Sequence, residues 1–237
     1  MRKLDASDWF SAISASSAIP DDIDVDTEDV NVFNYSKWQR SIAYFGDVLA
    51  FCKENDIWMN VEIKPAEGHD ADTGRIVAKY TKKKFLPEIE ELQKNLESFQ
   101  FQKVSKCISN LPLMSSFSYD ALMAAKLQAP ELPRAFLIDN LEVTIDWREK
   151  MVQLGAVAIH TNAKFLTEIL ADDIKALGYG LFCYTVNTKK EADKLTSWGV
   201  DSFCTDELNM FSQFSKKVPS RNLLSEILSD IGGVEEV

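Results

Sequence analysis

In the second half of the chain, short apolar runs recur with starts 20 to 24 residues apart, at residues 113–117, 134–138, 156–160, 180–186 and 200–204. Each is long enough for one strand and is followed by room for one helix. Helical patterns at 120–128, 147–154, 165–177 and 192–198 fill the gaps. The last of these opens with Thr188 and, three residues on, Glu191, a capping-box pair. An earlier run, 58–63, follows a helical pattern at 47–54 and precedes a longer one at 85–101, which brings the total to six strand–helix units. Strands that are apolar throughout and separated by helices belong in a covered parallel sheet. Right-handed crossovers wind such a sheet into a barrel or an open doubly wound layer. No GxGxxG or GxxxxGK[ST] follows any strand, which disfavours the nucleotide-binding open sheets. The α/β fold expected is a TIM-type (β/α) barrel, incomplete, with about six of its eight strand–helix units.

Composition narrows the partners. Lys and Arg number 26 against 37 Asp and Glu, a formal charge of −11 that repels a polyanion, so no nucleic acid is expected. No uncharged stretch reaches the ~18 apolar residues of a spanning helix, and the start Met-Arg-Lys-Leu-Asp-Ala lacks the apolar region of a signal peptide. No membrane span and a cytoplasmic location are expected. Cys52, Cys107, Cys183 and Cys204 form no CxxC pair and read as reduced, buried thiols. The layout expected is a partial barrel over 1–211, carrying an acidic insert at about 16–44, and a tail or terminal helix over 212–237. Asp22, Asp24 and Asp26 in the insert have calcium-loop spacing, but Thr27 stands where such a loop needs Gly and Phe33 where it needs Glu. A solvated acidic loop is the better reading.

In a parallel barrel the reacting groups stand at the C-terminal ends of the strands. The run 58–63 ends in Glu62-Ile63-Lys64-Pro65; alternation puts Glu62 and Lys64 on one face, and Pro65 stops the strand. A carboxylate and an ammonium there suit a divalent cation and a phosphate oxygen, or simply an ion pair. Ser118 reads as a helix N-cap. His160 closes its run, followed by Thr161 and Asn162, and reads as structural before catalytic; His69 lies in a loop and reads as a surface residue. Tyr184 to Asn187 and Thr205 to Glu207 close the last two runs, with Tyr184 a wall for a substrate and Asp206 a hydroxyl ligand or a cap. Neither a Ser–His–Asp order with supporting motifs nor a GxSxG elbow is present.

Taken in order, Asn60-Val61-Glu62-Ile63-Lys64-Pro65, Ser115-Ser116-Phe117-Ser118-x-x-Ala121-Leu122, Ala129-Pro130-Glu131-Leu132-Pro133-Arg134, Tyr184-Thr185-Val186-Asn187 and Trp198-Gly199-Val200-Asp201-x-x-x-Thr205-Asp206 resemble the glycerophosphodiester phosphodiesterases. Leu4-Asp5-Ala6-x-x-Trp9-Phe10 resembles a further segment of that family. The resemblance implies a metal-dependent TIM-barrel hydrolase that splits glycerophosphodiesters into glycerol 3-phosphate and an alcohol. It implies a metal ligand at Glu62, phosphate or substrate contacts at Lys64, Tyr184 and Asn187, a divalent cation (Mg or Ca), and a glycerophosphodiester or glycerol 3-phosphate as partner. His160 and Asp206 are weaker candidates. The family's first strand carries His-Arg, its second Glu-x-Asp and the next hairpin His-Asp, and none of these is present; residues 1–45 hold no histidine. The chain therefore reads as truncated and inactive alone, with neither acid–base histidine. Its alternatives are a non-catalytic module that holds a phosphate ligand or pairs through an open barrel edge, and an unrelated enzyme using Glu62 and Asp206 as paired carboxylates.

Overall fold

A computed structural model describes residues 43–207. The acidic insert up to residue 42, the segment from Leu4 to Phe10 and the tail lie outside the described residues. The chain divides into two compact units, Met1–Phe51 and Cys52–Val237. The described part of the first is most of helix α1 (Phe45–Glu54), whose last turn opens the second.

The second unit continues β1 (Asn60–Glu62), α2 (Asp70–Lys84), α3 (Leu86–Glu97), α4 (Phe101–Ser109), β2 (Leu113–Ser116), α5 (Tyr119–Gln128), β3 (Arg134–Ile138), α6 (Trp147–Leu154), β4 (Ala158–Asn162), α7 (Glu168–Ala176), β5 (Gly180–Tyr184), α8 (Lys189–Ser197) and β6 (Ser202–Phe203). The six strands are parallel and lie in the order β1-β2-β3-β4-β5-β6. That order decides the fold. A doubly wound sheet reverses direction at a switch point, whereas five crossovers stepping the same way, with the right-handed sense that such connections take, lay the helices between the strands on one face. The other face is then covered only by curling the sheet toward itself. The result is a half-barrel.

The register shows which side chains look inward. Glu62 pairs with Ser115, Ser115 with Ala135, Ala135 with Ala158 and Ala158 with Gly180; one step up, Leu137 pairs with His160 and His160 with Phe182. The alternate residues, among them Phe136, Ile138, Ile159, Leu181 and Cys183, pack with Leu122, Trp147, Met151 and Ile174 of the helices into the core. Curling brings distant strands together on the inner side. The rings of Phe117, just past β2, and Tyr184, at the end of β5, have centroids 6.1 Å apart. In a flat sheet three strand spacings would hold them ~14 Å apart.

Local signals set most ends. Ser118 Oγ accepts from Ala121 N at 3.1 Å and Thr188 Oγ1 from Glu191 N at 3.2 Å, each satisfying a helix donor left open by its first turn. Gly155 ends α6 with φ +55°, and Ala156 N donates back to Met151 O at 3.0 Å. Ala156 is thus spent on closing the helix. Strand β4 consequently runs over Ala158–Asn162, two residues beyond the predicted run at 156–160.

One helical reading is corrected. The predicted helix at 85–101 is two helices, α3 and α4, parted at Phe99 with φ +54°, and α2 precedes them unannounced. Helix α2 presses on α5 through Gly74, where a β-carbon would fall inside the backbone of Ala121. Ser118 Oγ also donates to Asp70 Oδ1 at 2.6 Å, tying the starts of α2 and α5 together beneath the ends of β1 and β2. The cysteine reading is corrected too. All four are free, but only Cys107 and Cys183 are buried, with Cys204 exposed and Cys52 half-buried.

Candidate functional site at the C-terminal rim

The site grows from where the strands stop. Ile63 N still pairs with Ser115 O at 2.7 Å, so the backbone stays extended past β1 and carries Lys64 to the inner side above Glu62. Lys64 Nζ stands 3.4 Å from Glu62 Oε1, and the lysine side chain is 75% exposed against 30% for the glutamate. This ion pair is wet, so its own contribution to stability is small. The lysine remains accessible to a second anion. A shallow groove lies beside it, lined by Ile63, Lys64, Pro65, Ser116, Phe117 and Ser118.

The groove's far wall is fixed from below. Ser116 Oγ donates to Ile63 O at 2.7 Å and accepts from Ser118 N at 3.0 Å. Phe117, between these serines, turns half-exposed toward Tyr184, the ring planes at 83°. The Tyr184 hydroxyl is buried yet has no hydrogen-bond partner among the described residues, and the same holds for Ser115 Oγ on the inner face next to Glu62. Burial pushes the Tyr184 phenol well above its ordinary range, and the carboxylates of Asp139 and Glu62 push it the same way. Tyr184 is therefore a neutral hydroxyl at any working pH.

Asp139 belongs to this rim although the sequence reading passed it over. It follows β3 directly and is exposed, and Asn162 Nδ2 donates to its Oδ1 at 3.0 Å. The rule applied to the other strands, taking the polar residue that closes each run, would have found it.

The remaining candidates sit elsewhere. His160 is not at the mouth, because the shift of β4 places Asn162 there. It lies one step inside, 2% exposed, its ring 4.5 Å from that of Phe182. Burial lowers its pKa to about 4, so it is neutral near pH 7. His69 is an exposed residue at the N-cap of α2. Asn187 does not reach the groove's lining; its Oδ1 accepts from Thr205 Oγ1 at 3.1 Å and Asp206 N at 2.9 Å, while its Nδ2 donates to Asp206 Oδ2 at 3.1 Å. Asn187 and Asp206 thereby lock the loop after β6 to the loop after β5.

A hard divalent cation needs several oxygen ligands. Among the described residues no three acidic, histidine or cysteine side chains converge on one point. Glu62 faces an ammonium and Asp139 an amide. The described residues do not fit such an ion.

Comparison with known proteins gives the same frame. The profile of the glycerophosphoryl diester phosphodiesterase family matches residues 2–210. A phosphodiesterase from Oleispira antarctica, solved in complex with the product sn-glycerol-3-phosphate, superposes with a TM-score of 0.55 at 22% identity, covering 81% of this chain and 64% of that one. A protein from Silicibacter pomeroyi assigned as a glycerophosphoryl diester phosphodiesterase gives 0.52 at 19%, over 70% of this chain and 53% of that one. One from Galdieria sulphuraria assigned as a glycerophosphodiester phosphodiesterase gives 0.53 at 14%, over 73% and 64%. At these identities the likeness is one of fold, and this chain spans less than two thirds of each of those three. No curated protein matches closely enough to count as a relative. With a profile match over most of its length and a sequentially ordered parallel half-barrel, the chain belongs to the glycerophosphoryl diester phosphodiesterase family.

Proposed function

We propose that the rim binds a glycerophosphodiester or its product glycerol 3-phosphate, with Lys64 against the phosphate, and that the chain alone binds such ligands without hydrolysing them. The observation that carries the first half is the exposed Lys64 ammonium at the edge of a groove on the C-terminal side of β1, 3.4 Å from Glu62. Family membership and the sn-glycerol-3-phosphate held by the Oleispira antarctica phosphodiesterase support it. The second half is supported by the sequence, which carries none of the His-Arg, Glu-x-Asp and His-Asp pairs in the places that the resemblance implies. In the family's reaction water attacks phosphorus and the bond to the alcohol oxygen breaks, and a proton must reach that oxygen. General acid–base help of this kind is worth ~10²- to 10⁴-fold. His160 is buried and neutral, His69 stands on an outer loop, and the described carboxylates form no metal cage. Lys64 can orient and neutralise the phosphate, and Ser115 and Tyr184 offer hydroxyls without partners.

A non-catalytic assembly module is the second reading. It is favoured by β1 and β6, which have no further strand beside them among the described residues, so that a second copy could pair there. No described helix is long and apolar enough to cross a membrane. The four free cysteines fit a reducing compartment such as the cytoplasm.

Calorimetric titration with glycerol 3-phosphate, with and without chelator, tests the proposal. Binding is expected in both conditions, and Lys64→Ala should weaken it about fivefold, the ~1 kcal/mol of one solvent-exposed ionic contact. Glu62→Gln removes a competing carboxylate and should tighten binding. Weakening by Glu62→Gln only when Mg or Ca is present would instead mark Glu62 as a metal ligand. Turnover of glycerophosphocholine that a chelator abolishes would overturn the inactive half.

A further inference from the structure

We infer that the outer side of helix α2 is a docking surface for an anionic lipid layer, formed by Lys79, Lys83 and Lys84 with Ile76 and Tyr80 set among them.

Between Asp72 and Glu88 the chain has no acidic residue, and the ten residues from Arg75 to Lys84 hold five cations, in a protein whose formal charge is −11. The helix sorts them by face. Gly74, Ala78 and Thr81 are buried, Gly74 against the backbone of Ala121, while Arg75, Ile76, Lys79, Tyr80, Lys83 and Lys84 are all exposed. At ~100° per residue, Ile76 and Tyr80 fall between Lys79 on one side and Lys84 on the other. Ile76 is 46% exposed and Tyr80 57%, so two large apolar side chains stand in water one turn apart, flanked by ammonium groups.

Most of these cations have no internal use. Arg75 pairs with Asp72 at 3.1 Å on the same exposed helix, and Lys82, at the border of the ribbon, reaches the buried Glu131 at 2.7 Å. Lys79, Lys83 and Lys84 form no ion pair among the described residues. Like charges one turn apart repel, and a face built only for water gains nothing from gathering them. An anionic counter-surface offsets that repulsion.

Charge complementarity and the apolar pair together select the occupant. Lysine stems lie along apolar material while their ammonium groups reach lipid phosphates and carboxylates, and Ile and Tyr side chains enter the boundary between headgroups and acyl chains. A nucleic-acid backbone would use the cations and leave Ile76 and Tyr80 without a partner. It also favours the arginine fork, of which the ribbon has one. The negative charge elsewhere on the chain does not forbid contact through this face, because charges beyond a Debye length of ~8 Å are screened at physiological salt. None of these residues lines the groove beside Lys64, so the surface is separate from the rim.

Co-sedimentation of the full chain with vesicles of phosphatidylcholine, alone or with about a third of phosphatidylserine, tests the inference. The phosphatidylserine vesicles should bind at least tenfold more tightly, and ~1 M salt should release the protein. The triple variant Lys79→Gln, Lys83→Gln, Lys84→Gln should bind them about a hundredfold more weakly, near fivefold for each cation. Ile76→Ser combined with Tyr80→Ser should weaken vesicle binding at least fivefold with every cation kept. All five positions are exposed, and thermal melts confirm that both variants are folded. Equal binding to the two vesicle compositions, binding to neither, or binding that survives the triple variant overturns the inference. Retention by polyglutamate or duplex DNA that the serine pair leaves unchanged, with vesicles unbound, also overturns it and assigns the ribbon to an acidic macromolecule.

Discussion

Arg134 and Lys64 are both cations at strand ends of one sheet, Arg134 opening β3 and Lys64 just past β1, and their surroundings differ sharply. Arg134, at the start of β3, is 1% exposed, with Nε donating to Leu154 O at 2.8 Å, Nη1 to Leu132 O at 2.8 Å and Pro130 O at 3.1 Å, and Nη2 to Gly155 O at 3.4 Å. Lys64, past the end of β1, is largely in water with one carboxylate nearby. The N-terminal end of the sheet saturates its polar groups, and the C-terminal rim leaves some waiting. The Ser115 and Tyr184 hydroxyls fit that division. Glu131 is the exception, one oxygen held by Lys82 at 2.7 Å and the other without a partner at the saturated end.

The sharpest way to break this contrast is to remove each cation. Arg134→Met strands four carbonyls in the interior and should cost ~3 kcal/mol or more in urea unfolding, whereas Lys64→Met should stay within ~0.5 kcal/mol. Equal costs at the two sites would erase the distinction. His160 tests the inner face between the two ends. Its folded pKa of about 4 lies below the ~6.5 of an unfolded histidine, so the unfolded state binds the extra proton between those values. Stability should therefore fall as pH drops from ~6.5 to ~4, by up to ~3 kcal/mol, and level off below. His160→Gln should remove that slope from the pH-dependent unfolding curve. Gly74→Ala forces α2 off the backbone of α5, an overpacking cost of ~2 kcal/mol, and should loosen the footing of Phe117 enough to alter ligand binding at the rim. Smallest is Ser118→Ala, which loses an N-cap and the Asp70 link for ~1 kcal/mol, visible as a lowered melting temperature.

How much could be read beforehand varied with the kind of signal. Strand β3 and helix α6 occupy the predicted 134–138 and 147–154 because large apolar residues at a fixed period mark them. Helix α2 was invisible for the opposite reason. Its buried residues are Gly74, Ala78 and Thr81, small side chains that admit a close neighbour without leaving an apolar stripe. At the rim, Glu62 and Lys64 were found through the motif that carries them and through alternation. Asp139 was missed, and His160 was read one step too near the mouth because Ala156 closes a helix instead of opening a strand.

Alternation and periodicity are properties of neighbouring residues, so the sequence alone determined that these strands run parallel between helices and that Glu62 and Lys64 share a face. Whether β2 and β5 meet depends on the summed twist and curl of every strand between them, which no local pattern encodes. Only the tertiary structure brought Phe117 to Tyr184, set Asp139 between their strands, and left a buried hydroxyl there without a partner.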